Sequence, residues 1–410
     1  MLRIQSQMMK SVPWKKVKRS FISCLIASFI IYIVYQVSSY SLRHQGKKSY
    51  TRRFPKIHFS TKSTKRILMW TPFFHVSPDD LARQQKDCLD KCDKKCEVHA
   101  NKSDVETSDA VLFHLTDLWL DKWKFGTKNL YPLPAKRSPE QVWILMNMEP
   151  TTFLFGDMKV LNNIFNWTYW YRRDATVYLS YGGYSDLSYK ERMYNANWTL
   201  KPRNFYQEKS KSATIGLISD CTDSAQRYRF VDTLKKYMQV DMFGACYGIK
   251  CGANSNDPHS CDETVKQYQF YLALENSRCR DYVTEKYWYT LQRHQIPIVN
   301  WKQVSPHVVV PNSYINIYDF ESPEAAAQYI AKVRDNETLY NSYFDWMSQY
   351  SLQEVCSMCR LCQALHDNKM QAQVYSDLKG WVEDDTCPTA GYLSTFKRNF
   401  LFWTYHFLGL

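Results

Sequence analysis

Glycine is scarce in this chain, at 12 of 410 residues, and neither G-x-G-x-x-G nor G-x-x-x-x-G-K-[ST] occurs. Without those loops, the usual dinucleotide and P-loop phosphate cradles are excluded. No D-x-D occurs either, so the acidic pattern that often holds a metal against a nucleotide sugar is missing. The first 66 positions contain no Asp or Glu but 15 Lys or Arg. The whole chain has a formal charge of +13, so the remainder stands at −2. A near-neutral body argues against a broad nucleic-acid footprint. Aromatic residues make up 16% of the chain, which excludes low complexity and indicates a packed globular protein. The length allows two domains of ordinary size.

The basic segment surrounds FISCLIASFIIYIVYQV, residues 21–37, which carry no charge. With its flanking Ser and Tyr residues the run reaches the short end of a membrane span, about 20 residues. No A-x-A-like cleavage site follows, so the run reads as a signal anchor more than as a cleaved signal peptide. Residues 1–20 then form a cytoplasmic tail and 38–63 a stem. Basic charges that flank a span serve the membrane, not nucleic acid. Four N-x-S/T sequons, at Asn101, Asn166, Asn197 and Asn336, fit a luminal body. Thirteen cysteines are present, and Cys24 lies in the apolar run, leaving twelve outside it. An even number in an oxidising compartment favours disulfides, with pairing left open. Cys88, Cys92 and Cys96 form one cluster, and Cys356, Cys359 and Cys362 another. Neither supplies the fourth ligand of a zinc site at suitable spacing. No metal is expected.

The body begins with apolar runs at 67–74, 108–115, 141–148 and 175–181, each read as a strand. From residue 212 the pattern alternates. SATIGLIS is a strand, SAQRYRFVDTLKKYM a helix, VDMFGA a strand, YQFYLALE a strand, DYVTEKYWYTLQRH a helix and QIPIVN a strand. This alternation predicts an α/β fold with a parallel sheet. The expected boundaries are 64–211 for an acceptor-side domain, 212–365 for a donor domain and 366–410 for a C-terminal extension.

Charge and amide groups crowd into LENSRCRDYVTEK, residues 274–286. The stretch leaves a strand and enters a helix near Thr284. Strand C-terminal ends are where α/β domains bind nucleotides, and a helix N-terminus suits an anion. Lys286 adds a full positive charge, and Arg227 at the start of the earlier helix offers a second. Glu275 and Glu285 can accept hydrogen bonds from sugar hydroxyls. With no metal motif, a diphosphate is left to Arg, Lys and backbone amides. That chemistry points to a metal-independent two-domain glycosyltransferase.

FYLALENSRCRDYVTEKYW resembles the donor signature of the α1,3-fucosyltransferase family, F-x-L-x-F-E-N-S followed by D-Y-x-T-E-K. Further resemblances keep the family's order: DAVLFH (109–114), MNMEP (146–150), FNWTYWYRRDATV (165–177), VDMFG (240–244), YINIYDFESP (314–323) and QVYSDLKGW (373–381). Together they span about residues 65–382.

The resemblance implies a GT-B-type fold of two Rossmann-like domains facing across a cleft. It implies GDP-fucose as donor, no required cofactor, inversion at fucose, and a Golgi type II membrane protein acting on glycoprotein glycans. It makes Glu149 the catalytic base, with burial raising its pKa. Arg227 and Lys286 would hold the diphosphate, while Asn276, Tyr282 and Glu285 line the donor pocket. Ser219, Asp220, Glu275, Tyr171 and Arg172 are weaker donor-site candidates. The chain departs from the family pattern at Leu274 (Phe in relatives), Asp220 (Asn), the shortened MEPTTF segment and residues 300–311. A catalytically silent glycan-binding Golgi membrane protein on the same fold is the alternative reading. The acceptor stays open between the inner GlcNAc of an N-glycan core and antennal GlcNAc.

Overall fold

The structure is a computed structural model that describes residues 49–53, 62–121, 126–154, 156–188, 203–251, 261–353, 356–367, 370, 372–384 and 387. The expected tail and span, Cys24 and the Asn197 sequon lie outside the described residues. Among the described residues no helix is long and apolar enough to cross a membrane.

The first half contains β1 (Thr51–Arg53), β2 (Thr64–Met69), α1 (Pro78–Asp90), β3 (Lys95–His99), β4 (Ala110–His114) and β5 (Val142–Asn147). β6 (Trp167–Trp170), β7 (Val177–Tyr178) and β8 (Gly183–Asp186) follow. Six strands form an all-parallel sheet in the order β3-β2-β4-β5-β6-β7. All residues of β4 and β5 are buried, which is why they read as unbroken apolar runs. α1 starts where Ser77 caps it, with Pro78 and two Asp residues in its first turn.

The second half contains β9 (Lys211–Leu217), α2 (Arg227–Leu234), β10 (Val240–Phe243), α3 (Asp262–Val265), β11 (Tyr268–Leu272), α4 (Glu285–Gln292) and β12 (Ile296–Val299). Then come β13 (Ile315–Asn316), α5 (Pro323–Arg334), α6 (Glu337–Ser342) and β14 (Tyr350–Gln353). A second all-parallel sheet runs β10-β9-β11-β12-β13. Gly244 ends β10 at φ +102°, and an added Cβ would meet the Ile218 carbonyl oxygen at 2.4 Å. Only glycine allows that close approach of the two strand ends.

The chain then returns to the first half through α7 (Ser357–His366), β15 (Gln373–Tyr375) and α8 (Leu378–Glu383). α7 buries Met358, Leu361 and Leu365 against the first sheet. β15 pairs antiparallel with β1, and Leu378 and Trp381 of α8 join the core on the sheet's other side. Three domain expectations change accordingly. The second half ends near residue 353, not 365. Residues 51–53 are a strand of the body and not stem. Residues 366–384 are integral to the first half and not an extension. Two parallel sheets, flanked by helices and joined by a crossing C-terminal segment, make a GT-B-like α/β body.

All twelve cysteines outside the apolar run are paired: 88–356, 92–359, 96–362, 221–246, 251–261 and 279–387. The first three tie α1 and β3 to α7 as a ladder.

Candidate active site

The loops leaving β5 and β11 meet at the C-terminal edges of their sheets. Glu149 lies two residues past β5. Asn147, fully buried, donates from its side-chain amide to the Glu149 carbonyl at 2.5 Å and bends the loop. Tyr181 donates its hydroxyl to the Met148 carbonyl at 2.7 Å. Glu149 does not cap the turn that follows it, because Pro150 occupies the cap position and no side chain serves there. Burial raises the Glu149 pKa. Lys286 opposes that rise, and Glu285 and Glu275 add to it. The carboxylate of the first half therefore shares a field with the charged cluster of the second.

That cluster is built on Glu275, whose side chain is wholly buried. Its carboxylate accepts from Thr284 N at 2.8 Å and Thr284 Oγ1 at 2.9 Å. Its backbone is clamped by Asn300, which accepts from Glu275 N at 2.8 Å and donates to Glu275 O at 2.9 Å. Lys286 Nζ lies 3.6 Å from Glu275 and 2.9 Å from Glu285, with 22% of its side chain exposed. Burial would lower the Lys286 pKa, but the two carboxylates more than offset this and hold the ammonium protonated. Burial also works to raise Glu285, yet the Lys286 charge and hydrogen bond keep it below the ordinary value. The result is a permanently charged ammonium on a rigid mount, presented at the first turn of α4.

Arg227 opens α2 and is 5% exposed. Its Nε donates to Asp223 at 3.0 Å and its Nη1 to the Leu274 carbonyl at 3.2 Å. Arg227 lines a cavity of about 220 Å³ with Leu274, Asn300, Phe230, Tyr318 and Glu321. A larger cavity of about 590 Å³, lined by Phe205, Phe344 and Trp346, sits at the opposite edge of the second sheet. It contains none of the groups just described. The Asn276 Oδ1 atom is buried without a hydrogen-bond partner among the described residues.

Several expected roles change. Glu275 is a buried mount for Lys286 and Thr284, out of reach of a donor sugar. Arg172 is 3% exposed. It donates to Asp174, to the Trp381 carbonyl at 2.5 Å and to the Val382 carbonyl at 3.3 Å, and stacks 4.0 Å from the Trp381 ring. It pins α8, with its guanidinium buried among these structural partners. Tyr171 and Tyr282 pack as a buried ring pair 4.9 Å apart. That pair joins the halves beneath the site and does not line an open pocket. Asp220 closes a local turn by accepting from Thr222 N and Oγ1, with exposed Ser219 beside it. Trp167 and Trp170 are wholly buried core residues.

Asn166 is wholly buried. Its Oδ1 accepts from Arg137 and from Trp143 N, and its Nδ2 donates to Gln373 O at 2.9 Å. The folded protein has no room for a glycan there, so this sequon is a structural joint. Asn101 and Asn336 are exposed helix caps.

Three contributors were missed from the sequence. Asp223 aims Arg227, and its i, i+4 spacing to that arginine was the available signal. Asn300 clamps Glu275 from 25 residues away, and Ser277, inside the E-N-S stretch, meets Thr152 at 2.6 Å from 125 residues away, contacts that no local pattern marks.

Two family profiles match the body. The profile for Fucosyltransferase, N-terminal, covers residues 62–182. The profile for Glycosyltransferase family 10 (fucosyltransferase) C-term covers residues 206–381. The chain is 30% identical over 379 residues to the alpha-(1,3)-fucosyltransferase C of Drosophila melanogaster, spanning 87% of each chain. It is 30% identical over 345 residues to an alpha-(1,3)-fucosyltransferase of Caenorhabditis elegans, over 80% of this chain and 85% of that one. A solved alpha1,3-fucosyltransferase with GDP aligns at a TM-score of 0.40 and 18% identity, over 82% of this chain and 94% of that one. It is a distant likeness.

Proposed function

The chain belongs to glycosyltransferase family 10, the fucosyltransferases, and on that footing we propose that it transfers fucose from GDP-fucose, with inversion, to the 3-hydroxyl of GlcNAc in glycoprotein N-glycans. One observation carries the reading. The Glu149 loop of the first half meets the donor loop of the second, with Thr152 Oγ1 2.6 Å from Ser277 Oγ, and this puts Glu149 in the field of Lys286.

A single displacement needs a base on one side of the anomeric carbon and charge stabilisation on the other. Glu149 takes the proton of the attacking hydroxyl. The oxygen forms its bond to the anomeric carbon as the bond to the GDP oxygen breaks. The charge released on the diphosphate falls to Lys286 and Arg227. Glu285 accepts from donor hydroxyls, and Asn276 Oδ1, without a partner among the described residues, accepts from another. The 220 Å³ cavity beside Arg227 gives the nucleoside a slot next to the diphosphate. Two mounted cations serve where other glycosyltransferases use a metal, so the donor site requires none.

The uncharged run at 21–37 and its basic flanks support a single-pass type II placement. Six disulfides fit an oxidising lumen. We assign the body to the Golgi lumen on these grounds.

The test supplies GDP-fucose, with and without chelator, to the protein and a panel of N-glycan-core and N-acetyllactosamine acceptors. Mass gain and the linkage of the product are read. An α1,3-linked fucose on one class is the expected result, with activity surviving the chelator. GDP binding with no transfer to any acceptor would favour the silent glycan-binding protein instead.

A further inference from the structure

We propose that the Cys279–Cys387 disulfide and the hydroxyl chain Thr152–Ser277–Ser224 form a clasp that positions the Glu149 loop against the donor loop, making both cysteines positioning residues for transfer. The inference rests on the proposed function and adds a device to it.

Five of the six disulfides stay within one half. Three join α7 to α1 and β3 around the first sheet, and 221–246 and 251–261 lie within the second half. Cys279–Cys387 alone crosses between them. Cys279 sits in the donor loop, between Asn276 and Asp281, and is 5% exposed. Cys387 follows α8, which is packed on the first core.

The crossing point is beside the base. Cys387 Sγ lies 2.8 Å from Thr151 Oγ1, two residues after Glu149. Next along the loop, Thr152 Oγ1 is 2.6 Å from Ser277 Oγ, which is 3.0 Å from Ser224 Oγ. Ser277 is 1% exposed, so water does not compete for these bonds. Ser224 stands three residues before Arg227. One covalent link and one hydroxyl chain centred on buried Ser277 therefore join the base loop, the donor loop and the phosphate-side helix. Displacing a catalytic group by about 1 Å costs on the order of 100-fold in rate. A clasp here acts on rate, while GDP is held by groups of the second half alone.

The test replaces both cysteines, C279S with C387S, in the full chain, with C88S/C356S as the control pair. The clasp predicts at least about a 10-fold lower kcat and a GDP affinity within about 2-fold of wild type. The acid limb of the rate profile should move to lower pH, because a loosened Glu149 is better solvated. The control pair should leave all three unchanged. A second variant, Thr152→Val, keeps the disulfide and should lower kcat in the same direction. Two measurements do not depend on turnover. Non-reducing peptide mapping of the wild type should recover the 279–387 link, and hydrogen exchange at 148–153 and 276–284 should quicken in the double variant. Wild-type kcat, pH profile and exchange in the double variant would overturn the inference, as would a free Cys279 in the wild type. Absence of transfer by the wild type would instead count against the proposed function, with exchange still reporting on the clasp.

Discussion

At the scale of single residues, burial and charge divide the labour between similar carboxylates. Glu149 and Glu285 face one ammonium, yet burial dominates at Glu149 and raises its pKa, while Lys286 wins at Glu285 and lowers it. A base must be ionised to work. The account therefore predicts that kcat/KM rises with pH through a value above the ordinary glutamate value of 4.5. A pH profile of kcat/KM for GDP-fucose reads this directly, and an acid limb at or below 4.5 would contradict it. The sign for stability is opposite. A carboxyl whose pKa is raised on folding favours the protonated state, so its ionisation at higher pH weakens the fold. Glu149→Gln should thus be at least as thermally stable as wild type near neutral pH.

At the scale of elements, the donor segment was legible and its surroundings were not. The strand–loop–helix reading of 268–292 holds because its apolar run and Thr284 cap are local signals. Lys286 and Arg227 each stand in the first turn of a helix that follows a strand of the second sheet. The strand expected at 175–181 shrinks to Val177–Tyr178, and Trp167–Trp170 is the longer strand. Its WTYW has no alternation because both faces are buried, so period gave no guidance. Glu275 and Arg172 carry donor-like chemistry, but partners up to 210 residues away commit them to structure. No local pattern could have shown that. The same holds for Asn166, whose sequon hides a three-way joint between β5, Arg137 and β15. Asn166→Gln should cost roughly 1–3 kcal/mol, since buried groups lose their partners. Thermal denaturation reads the loss. Glycopeptide mapping should find Asn166 unmodified, with Asn101 and Asn336 the described positions free to carry glycan.

At the scale of the whole molecule, the return of the chain to the first half sets the stability. Each rung of the ladder closes a loop of 266–268 residues. A first rung of that length stabilises by on the order of 5 kcal/mol in the chain-entropy model. Once one rung is made, the next closes a ring of only a few residues and adds roughly half as much. Removing one pair should therefore cost far less than removing three, and denaturant melts of single-pair and triple-pair serine variants measure the difference. A triple-pair loss no larger than the sum of the three single-pair losses would show that the rungs act independently. The pairing itself was beyond the sequence, because only the fold brings α7 against α1.

The central claim is that Glu149 of one half works on a donor held by the other. Glu149→Gln tests it most directly, with GDP affinity and fucose transfer measured on the same preparation. The account predicts GDP binding close to wild type and transfer lowered by about 10²- to 10⁴-fold, the span of a lost general base. Transfer at the wild-type rate by that variant would contradict it.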